Sequence, residues 1–484
     1  DGLKQYFDML PDTSVLKQRF IELTQKNNHR VALQAFLDAN LSMGKIEVNI
    51  MTKLDKGNYR KKIPLSNKYN DAHAALRGYA NSTLAPRSSF RRNIKKKIIL
   101  KVSDYRSALI QGKFLAKKGL WVSEYRIESG LNCGGHAFAT DGHLMGPILA
   151  HFRDNKEDLV SEIHSVLVRA LSHRKRHVPQ SILPVKVSAQ GGVGTSEEHD
   201  FLLEHYKLDS VGWGSPFLLV PEATTVDNTT LTKLAQAEEK DLYLSNISPL
   251  GVPFNSLRGN TKDLEKWANI HKNRPGSACP KKYVAMNKEF TNEGICTASR
   301  QYQHLKIQEL DNKNLPRETY QRAYDKIVEK SCACVGLGTS ALLKHGLDTK
   351  TEGNGVSICP GPNMAYFSKI ASLKEMMHHI YGKSNLIKRT DRPHMFIKEL
   401  KIYVDFLKDK IAEVTGTITD KEIAYLSNFT DNLHEGISYY QNLFGSANKD
   451  LYNNAQTLRV LVDFNSVLDG ISDQMLHLKE MARQ

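Results

Sequence analysis

The sequence predicts an α/β protein built around a (β/α)-barrel-like domain, followed by an all-α C-terminal region. Three observations lead there. Short β-branched or alternating runs take turns with helix-period runs over residues 45–225. Each of the later strands ends in glycines. From about residue 392 onward the apolar residues keep helical spacing alone. Strands alternating with helices imply a parallel sheet or barrel, in which ligands bind at the C-terminal ends of the strands.

The elements follow in order. Residues 1–44 read as a helical segment, with apolar residues at helical spacing in "VLKQRFIELTQ" and "VALQAFLDA". "KIEVNIMTKL" (Lys45–Leu54) alternates with period two and predicts a strand near 46–53. A helix-like stretch, "DAHAALRGYA", comes next. "KKIILKVS" predicts a strand near 98–103, and "DYRSALIQGKFLAKKGL" a helix with Asp104 as N-cap and Gly119 as stop. "WVSEYRIES" predicts a strand near 121–128, and Leu144–Leu171 a long helix. "ILPVKVSAQ" predicts a strand near 184–189, "SEEHDFLLEHY" a helix capped by Ser196, and "LDSVGWG" a strand near 210–213. That makes about five strands, whereas a complete barrel needs eight. The first ~45 residues cannot supply three βα units of roughly 30 residues each. A barrel here is therefore irregular or N-terminally incomplete. The chain begins at Asp1 rather than Met, as one with further residues upstream would.

Residues 226–385 form a cysteine-containing extension that opens with the loop-like "NISPLGVPFNSLRGNTKD". Residues 386–484 form a helical domain of three amphipathic stretches, "MFIKELKIYVDFLKDKIAEV", "DKEIAYLSNFTDNLHEGISYYQNLF" and "AQTLRVLVDFNSVLDGISDQMLHLKEMA". These helices serve as scaffold or as a contact in a homo-oligomer.

Composition bounds the function. Of 484 residues, 40% are hydrophobic and 25% charged, which suits a globular protein with a large core. No run of about 18 apolar residues is present, so no transmembrane helix is expected. The first twenty residues lack the apolar centre of a signal peptide, which points to the cytoplasm. The net charge is +15, concentrated in "RRNIKKK" (Arg91–Lys97), "SHRKRH" (Ser172–His177) and "KNRPGSACPKK" (Lys272–Lys282). None of these runs is interleaved with aromatics as a base-stacking platform would be, so a solvated basic face is favoured over nucleic-acid binding.

Three motifs carry candidate chemistry. "QGGVGTSEEHDFLLEHYKLDSVGWGSPFLLVPEA" (Gln190–Ala223) places Gly191-Gly192-Val193-Gly194 and Gly212-Trp213-Gly214-Ser215 one βα unit apart. Glycines let backbone approach a ligand, and N–H groups at a helix N-terminus favour phosphate. Tight turns without a ligand are the plain alternative. "ESGLNCGGHAFATDGH" (Glu128–His143) follows a strand, so Gly134, Gly135 and His136 fall on the C-terminal rim. A histidine there suits general acid–base work, although a structural histidine fits the same motif. Cys133 reads as a small buried side chain.

The third motif is the cysteine set: Cys279, Cys296, Cys332, Cys334 and Cys359. Four thiolates can hold an iron–sulfur cluster or a zinc ion. The Cys-Pro pairs and neighbouring glycines read as ligand turns. There is no CxxC, however, and inert buried thiols or a second glycine-rich ligand loop explain the same residues.

Strand, helix, "KKG", strand and GGH turn in "IILKVSDYRSALIQGKFLAKKGLWVSEYRIESGLNCGGHAF", then strand, GGV turn, helix, strand and glycine-small-x-Phe turn in the second stretch, together resemble a family. The series looks like the C-terminal half of the FMN-binding TIM barrels of the nitronate monooxygenase (2-nitropropane dioxygenase) type. It covers about residues 96–223. The resemblance implies a flavoprotein oxidoreductase acting on a small organic substrate. It puts the FMN phosphate on Gly191, Gly192, Gly214 and Ser215. It sets Gly134, Gly135 and His136 beside the flavin, with His136 as the proton-transferring residue. It also brings Lys101 near the flavin, where a cation could stabilise negative charge on the reduced ring. Three features depart from the family: no Pro–Met flavin loop, a longer segment after His136, and some 260 residues beyond the barrel. Two rival readings stay open: a (β/α)-barrel enzyme for a phosphorylated substrate without flavin, and a basic nucleic-acid-binding protein.

Overall fold

A computed structural model describes residues 10–25, 32–33, 35–36, 97–413, 419–446 and 454–481. The chain divides into two compact units, Asp1–Lys96 and Lys97–Gln484. In the first, helix α1 (Val15–Gln25) buries Phe20 against Leu10, Leu33 and Phe36. The strand expected near 46–53, the helix-like "DAHAALRGYA" and most of "RRNIKKK" lie outside the described residues.

The second unit is a parallel sheet with helices. Its elements are β1 (Ile98–Val102), α2 (Tyr105–Lys117), β2 (Val122–Glu128), α3 (Met145–His173), β3 (Lys186–Gln190), α4 (Ser196–His205) and β4 (Ser210–Gly212). The strands pair in sequence order, β1-β2-β3-β4, and all in parallel. The expected helices are in place, with one change of cap. Asp104 does cap α2, accepting the Ser107 N–H, but α4 is capped by Thr195, one residue before Ser196. Either hydroxyl could serve; Thr195 has the extended backbone that a cap needs.

The sheet has two unlike faces. Val102, Tyr125, Ile127, Val187 and Ala189 lie on one and are buried in the main core. Lys101, Glu124, Arg126, Glu128, Ser188 and Gln190 lie on the other, as strand alternation requires. Glu124 ties this polar face together, accepting from Arg126 Nη2 (2.8 Å) and Ser188 Oγ (2.5 Å). On the apolar side α2 approaches closely because it carries Gly112. A Cβ there would overlap the Tyr125 hydroxyl and the Ile163 side chain of α3.

Among the described residues the parallel strands form an open sheet and no closed barrel. The next segments explain why. After α5 (Asn228–Gln236) come β5 (Leu242–Ser245) and β6 (Phe254–Leu257), which form an antiparallel two-stranded sheet of their own, with Phe254 making an isolated antiparallel bridge to His136. Residues 246–253 are too few for the crossover that a parallel pair needs, which takes about a dozen residues or more. Helices α6 (Thr261–His271), α7 (Arg300–Asp311), α8 (Arg317–Val328), α9 (Ala333–Lys344) and α10 (Leu373–Ile380) follow.

The C-terminal region is all helical: α11 (Met395–Ala412), α12 (Asp420–Ser446) and α13 (Asn454–Met481). Their buried faces join the sheet in one core; Phe396 of α11 stacks on Tyr440 of α12 at 5.0 Å. No described helix is long and apolar enough to cross a membrane.

Candidate functional site

Three loops leave the C-terminal ends of consecutive strands: 129–136 after β2, 191–195 after β3 and 213–216 after β4. Backbone bonds stitch them together, and two distant segments complete the stitching. Ser129 N–H donates to Gln190 O (3.1 Å), joining the first two loops. Residues 359–363, Cys-Pro-Gly-Pro-Asn, run across all three. Gly135 N–H donates to Cys359 O (3.1 Å), Gly361 N–H to Ser215 Oγ (2.7 Å), and Asn363 Nδ2 to Val193 O (2.8 Å). Asn255 of β6 binds the GGH turn twice, donating its N–H to Gly135 O (2.9 Å) and Nδ2 to Cys133 O (2.6 Å).

The glycines divide into two kinds. Gly191 (φ +113°) and Gly192 (φ +79°) hold left-handed backbone, which disfavours any residue with a Cβ. They also sit against protein: a Cβ on Gly191 would lie 2.9 Å from Ser129 Cβ, and one on Gly192 would overlap the Asn132 amide. At Gly194 a Cβ would come within 2.5 Å of the Arg392 guanidinium. By contrast, a Cβ on Gly135 or Gly214 would meet no atom within 4 Å. Gly134 is packed by residues 359–363: a Cβ there would lie 2.6 Å from Cys359 O. The phosphate positions implied for Gly191 and Gly192 thus fall where Asn132 and Ser129 already fill the Cβ side, whereas Gly214 and Gly135 border open space.

A buried ion pair locks the GGVG loop. Arg392 donates to both Glu198 oxygens at 2.8 Å and to Gly192 O at 2.9 Å, and the same carboxylate accepts Gly194 N–H and Met395 N–H. Burial by itself would raise the Glu198 pKa, but the charge and bonds of Arg392 outweigh it and hold the carboxyl below its ordinary range. The neighbouring core holds a second buried carboxyl, Glu399, to which no cation among the described residues is bonded. Its oxygens accept Ser129 Oγ (2.5 Å) and Met145 N–H at the start of α3 (2.9 Å), and burial pushes it up to about 7.

His136 and Lys101 occupy different surroundings. His136 Nε2 lies 2.8 Å from Ser248 Oγ, and its ring packs edge-on to Phe254 at 4.9 Å. Lys101, whose side chain is 53% exposed, pairs with Glu128, and Glu128 accepts Gln190 Nε2 at 2.6 Å. Lys101, Glu128 and Gln190 so form a polar row across the ends of β1, β2 and β3. The Lys101 charge also reaches Cys133, whose thiol burial raises to about 11.

The five cysteines named from the sequence separate. Cys359 belongs to the strap over the GGH turn and packs on Ile247, Phe254 and Ala333. Cys279 and Cys296 pack with Ala298 in a small core of their own, and Cys332 and Cys334 stand at the start of α9. Among the described residues, no group of three or more His, Cys, Asp or Glu side chains is placed to hold a metal ion.

Sequence reasoning missed Asn132, Arg392, Glu198, Ser248 and the 359–363 strap as parts of this site. The Pro-Gly-Pro run of the strap was the one available signal, since such a run reads as rigid turn chain. Nothing local marks Arg392 as the partner of a carboxylate 194 positions away.

No protein-family model matches this chain, and no curated protein is significantly similar to it.

Proposed function

We propose that the loop cluster at the C-terminal edge of the sheet binds FMN and that the chain is a flavin-dependent oxidoreductase acting on a small organic substrate, as in a TIM-barrel-like enzyme. One observation carries the reading. Loops from three successive parallel strands meet at one edge, and two of their glycines, Gly135 and Gly214, face open space. That is the edge where open and closed α/β sheets bind cofactors. The resemblance of residues 96–223 to nitronate monooxygenase-type barrels supports the same ligand.

The residues present fit the group in part. Gly214 and Ser215 are suited to the phosphate, because no Cβ intervenes at Gly214 and the Ser215 hydroxyl is fixed by the Gly361 N–H. Gly191 and Gly192 shape the neighbouring loop. FMN, when bound, supplies hydride or electron transfer. The chain's own residues do the rest. His136, oriented by Ser248, is the group that takes or gives a proton at its imidazole. Lys101 keeps a positive charge at the strand ends while Glu128 and Gln190 hold it in place.

Absorption spectra of the full-length protein, before and after added FMN, test the proposal. Bound flavin with an absorption maximum shifted from free FMN is expected. Protein that stays colourless after gel filtration with excess FMN contradicts it. Retention of inorganic phosphate or a sugar phosphate by that colourless protein would favour a phosphate-binding enzyme without flavin.

A further inference from the structure

A cleft of about 710 Å³ opens where the end of α6, the start of α7 and the side of α8 meet, and it shares no residue with the sheet-edge loops. Its size falls among small-molecule pockets, which run to about 300–1,000 Å³. The basic run "KNRPGSACPKK" supplies one wall and the first turns of α7 another. Arg274, Arg300 and His304 line the cleft, together with Pro275, Ile307 and Tyr324. Among the described residues, no Asp or Glu lines it.

The backbone brings the two arginine positions together. α6 ends in the C-cap Lys272, and Asn273 beyond it takes the left-handed backbone (φ +53°) that terminates a helix. Asn273 N–H donates to Ile270 O and Arg274 N–H to Asn269 O, both at 2.9 Å. The chain then passes Gly276, where a Cβ would lie 2.7 Å from Arg300 N. Ser277 O accepts the Arg300 N–H at 2.8 Å. The turn that carries Arg274 is thus bonded onto the first residue of α7. Along α7, Arg300, His304 and Ile307 follow at i, i+4 and i+7 and share one face. The positive end of the α7 dipole stands at Arg300 and favours an anion there. Across the cleft, the Tyr324 ring of α8 stacks on Tyr320, with centroids 6.2 Å apart and planes at 16°.

The cations here lack counter-charges. Other cations of this region are matched: Lys262 with Glu265, Lys281 with Glu352, and Lys306 with Glu289. Among the described residues, no carboxylate pairs with Arg274 or Arg300. Arg300 Nε is buried with no hydrogen-bond partner in the protein, a state that costs stability until an acceptor is supplied. Asp311 and Asp325, whose charges reach Tyr324, are held by the Tyr320 hydroxyl and Gln321 Nε2. From this unmatched cationic lining beside an aromatic wall, we infer that the cleft binds a phosphomonoester carried on a flat ring, the class of a mononucleotide. Guanidinium groups take phosphate oxygens in bidentate pairs, and nucleobases stack on tyrosine rings. Arg274 and Arg300 hold the phosphate and His304 adds a ring N–H. Tyr324, Pro275 and Ile307 cover the ring of the ligand. The inference does not depend on the flavin reading.

The test titrates adenosine 5′-monophosphate into the full-length chain by calorimetry. One nucleotide per chain is expected. Adenosine and inorganic phosphate should each bind roughly tenfold more weakly or worse, because each keeps only part of the contacts. Arg274→Met and Arg300→Met should each weaken the nucleotide by roughly tenfold or more, while Gly214→Leu at the sheet edge leaves it unchanged. Arg274 is exposed, so its variant decides even if Arg300→Met fails to fold. No saturable binding up to about 1 mM overturns the inference. Wild-type affinity in both arginine variants also overturns it, as does adenosine or inorganic phosphate binding as tightly as the monophosphate. Loss of binding in Gly214→Leu would assign the nucleotide to the sheet edge and overturn the cleft. Single-stranded RNA that binds far more tightly than the mononucleotide, and loses that affinity in the arginine variants, would make this a nucleic-acid surface and overturn the mononucleotide assignment.

Discussion

Two glycine-rich regions at the same sheet edge look alike in sequence and differ in what presses on them. The Gly191–Gly194 loop is closed by protein: Ser129 and Asn132 fill its Cβ side and Arg392 straps it to Glu198. A Cβ on Gly135 or Gly214 would meet no atom within 4 Å. The same residue type thus marks close packing in one place and access in the other. Glycine reports only that something approaches the backbone, or that φ is positive. Whether that something is a side chain or a ligand is decided by residues far away in the chain.

The comparison can be broken by substitutions on each side. The largest effect is expected from Arg392→Met, which leaves the Glu198 carboxylate without its cation in a fully buried site, held only by the Gly194 and Met395 N–H groups. Removing one member of a buried pair costs about 3–5 kcal/mol. Chemical denaturation should show it, and a loss below about 1 kcal/mol would mean that the GGVG loop is not held by this pair.

Gly192→Ala comes next. It adds a Cβ at φ +79° that overlaps Asn132. The backbone term alone is about 1–2 kcal/mol, and the overlap adds to it. Pairing it with Asn132→Gly should recover the overlap and leave the backbone term, as read from denaturation midpoints. Equal stability of the single and double variants would show that Asn132 does not fill the loop.

The pH dependence gives a smaller, signed effect. Burial raises Glu399 from 4.5 to about 7, so its contribution to stability is fully present below pH 4.5 and is lost as pH rises through 7. Burial lowers His394 from 6.5 to about 4, and its contribution is present above 6.5 and lost as pH falls through 4. The two slopes oppose each other between pH 4.5 and 6.5. The clean readout is therefore a difference: Glu399→Gln should gain stability relative to wild type between pH 5 and pH 8. The gradient is at most about 1.4 kcal/mol per pH unit. A pH-independent difference would mean that Glu399 titrates normally.

Much of the fold was legible. β1 to β4 and the helices between them sit within a few residues of the stretches that announced them, because each carried a clear period and a stop. The three C-terminal helices were equally plain. The two faces of the sheet could be read from alternation in "VSEYRIE", once the strand was placed. The open edge could not. β5 and β6 are short, and only the brevity of residues 246–253 shows that they turn back as a hairpin. Of the site, the loops after β2, β3 and β4 were visible from their glycines. Their partners were not, because Ser248, Asn255, the 359–363 strap and Arg392 arrive from distant segments. The cysteines were visible as a set, but only the fold separates Cys359 from the other four.

Gly214→Leu gives the most direct test of the access side, because its side chain enters space that no atom occupies and φ there is −119°. Its stability should stay within about 0.5 kcal/mol of wild type. FMN should be titrated into full-length wild type and this variant, following quenching of flavin fluorescence. The account predicts one FMN bound per wild-type chain and at least a tenfold weaker affinity in the equally stable variant. Absence of binding to wild type, or equal binding to both, would contradict it.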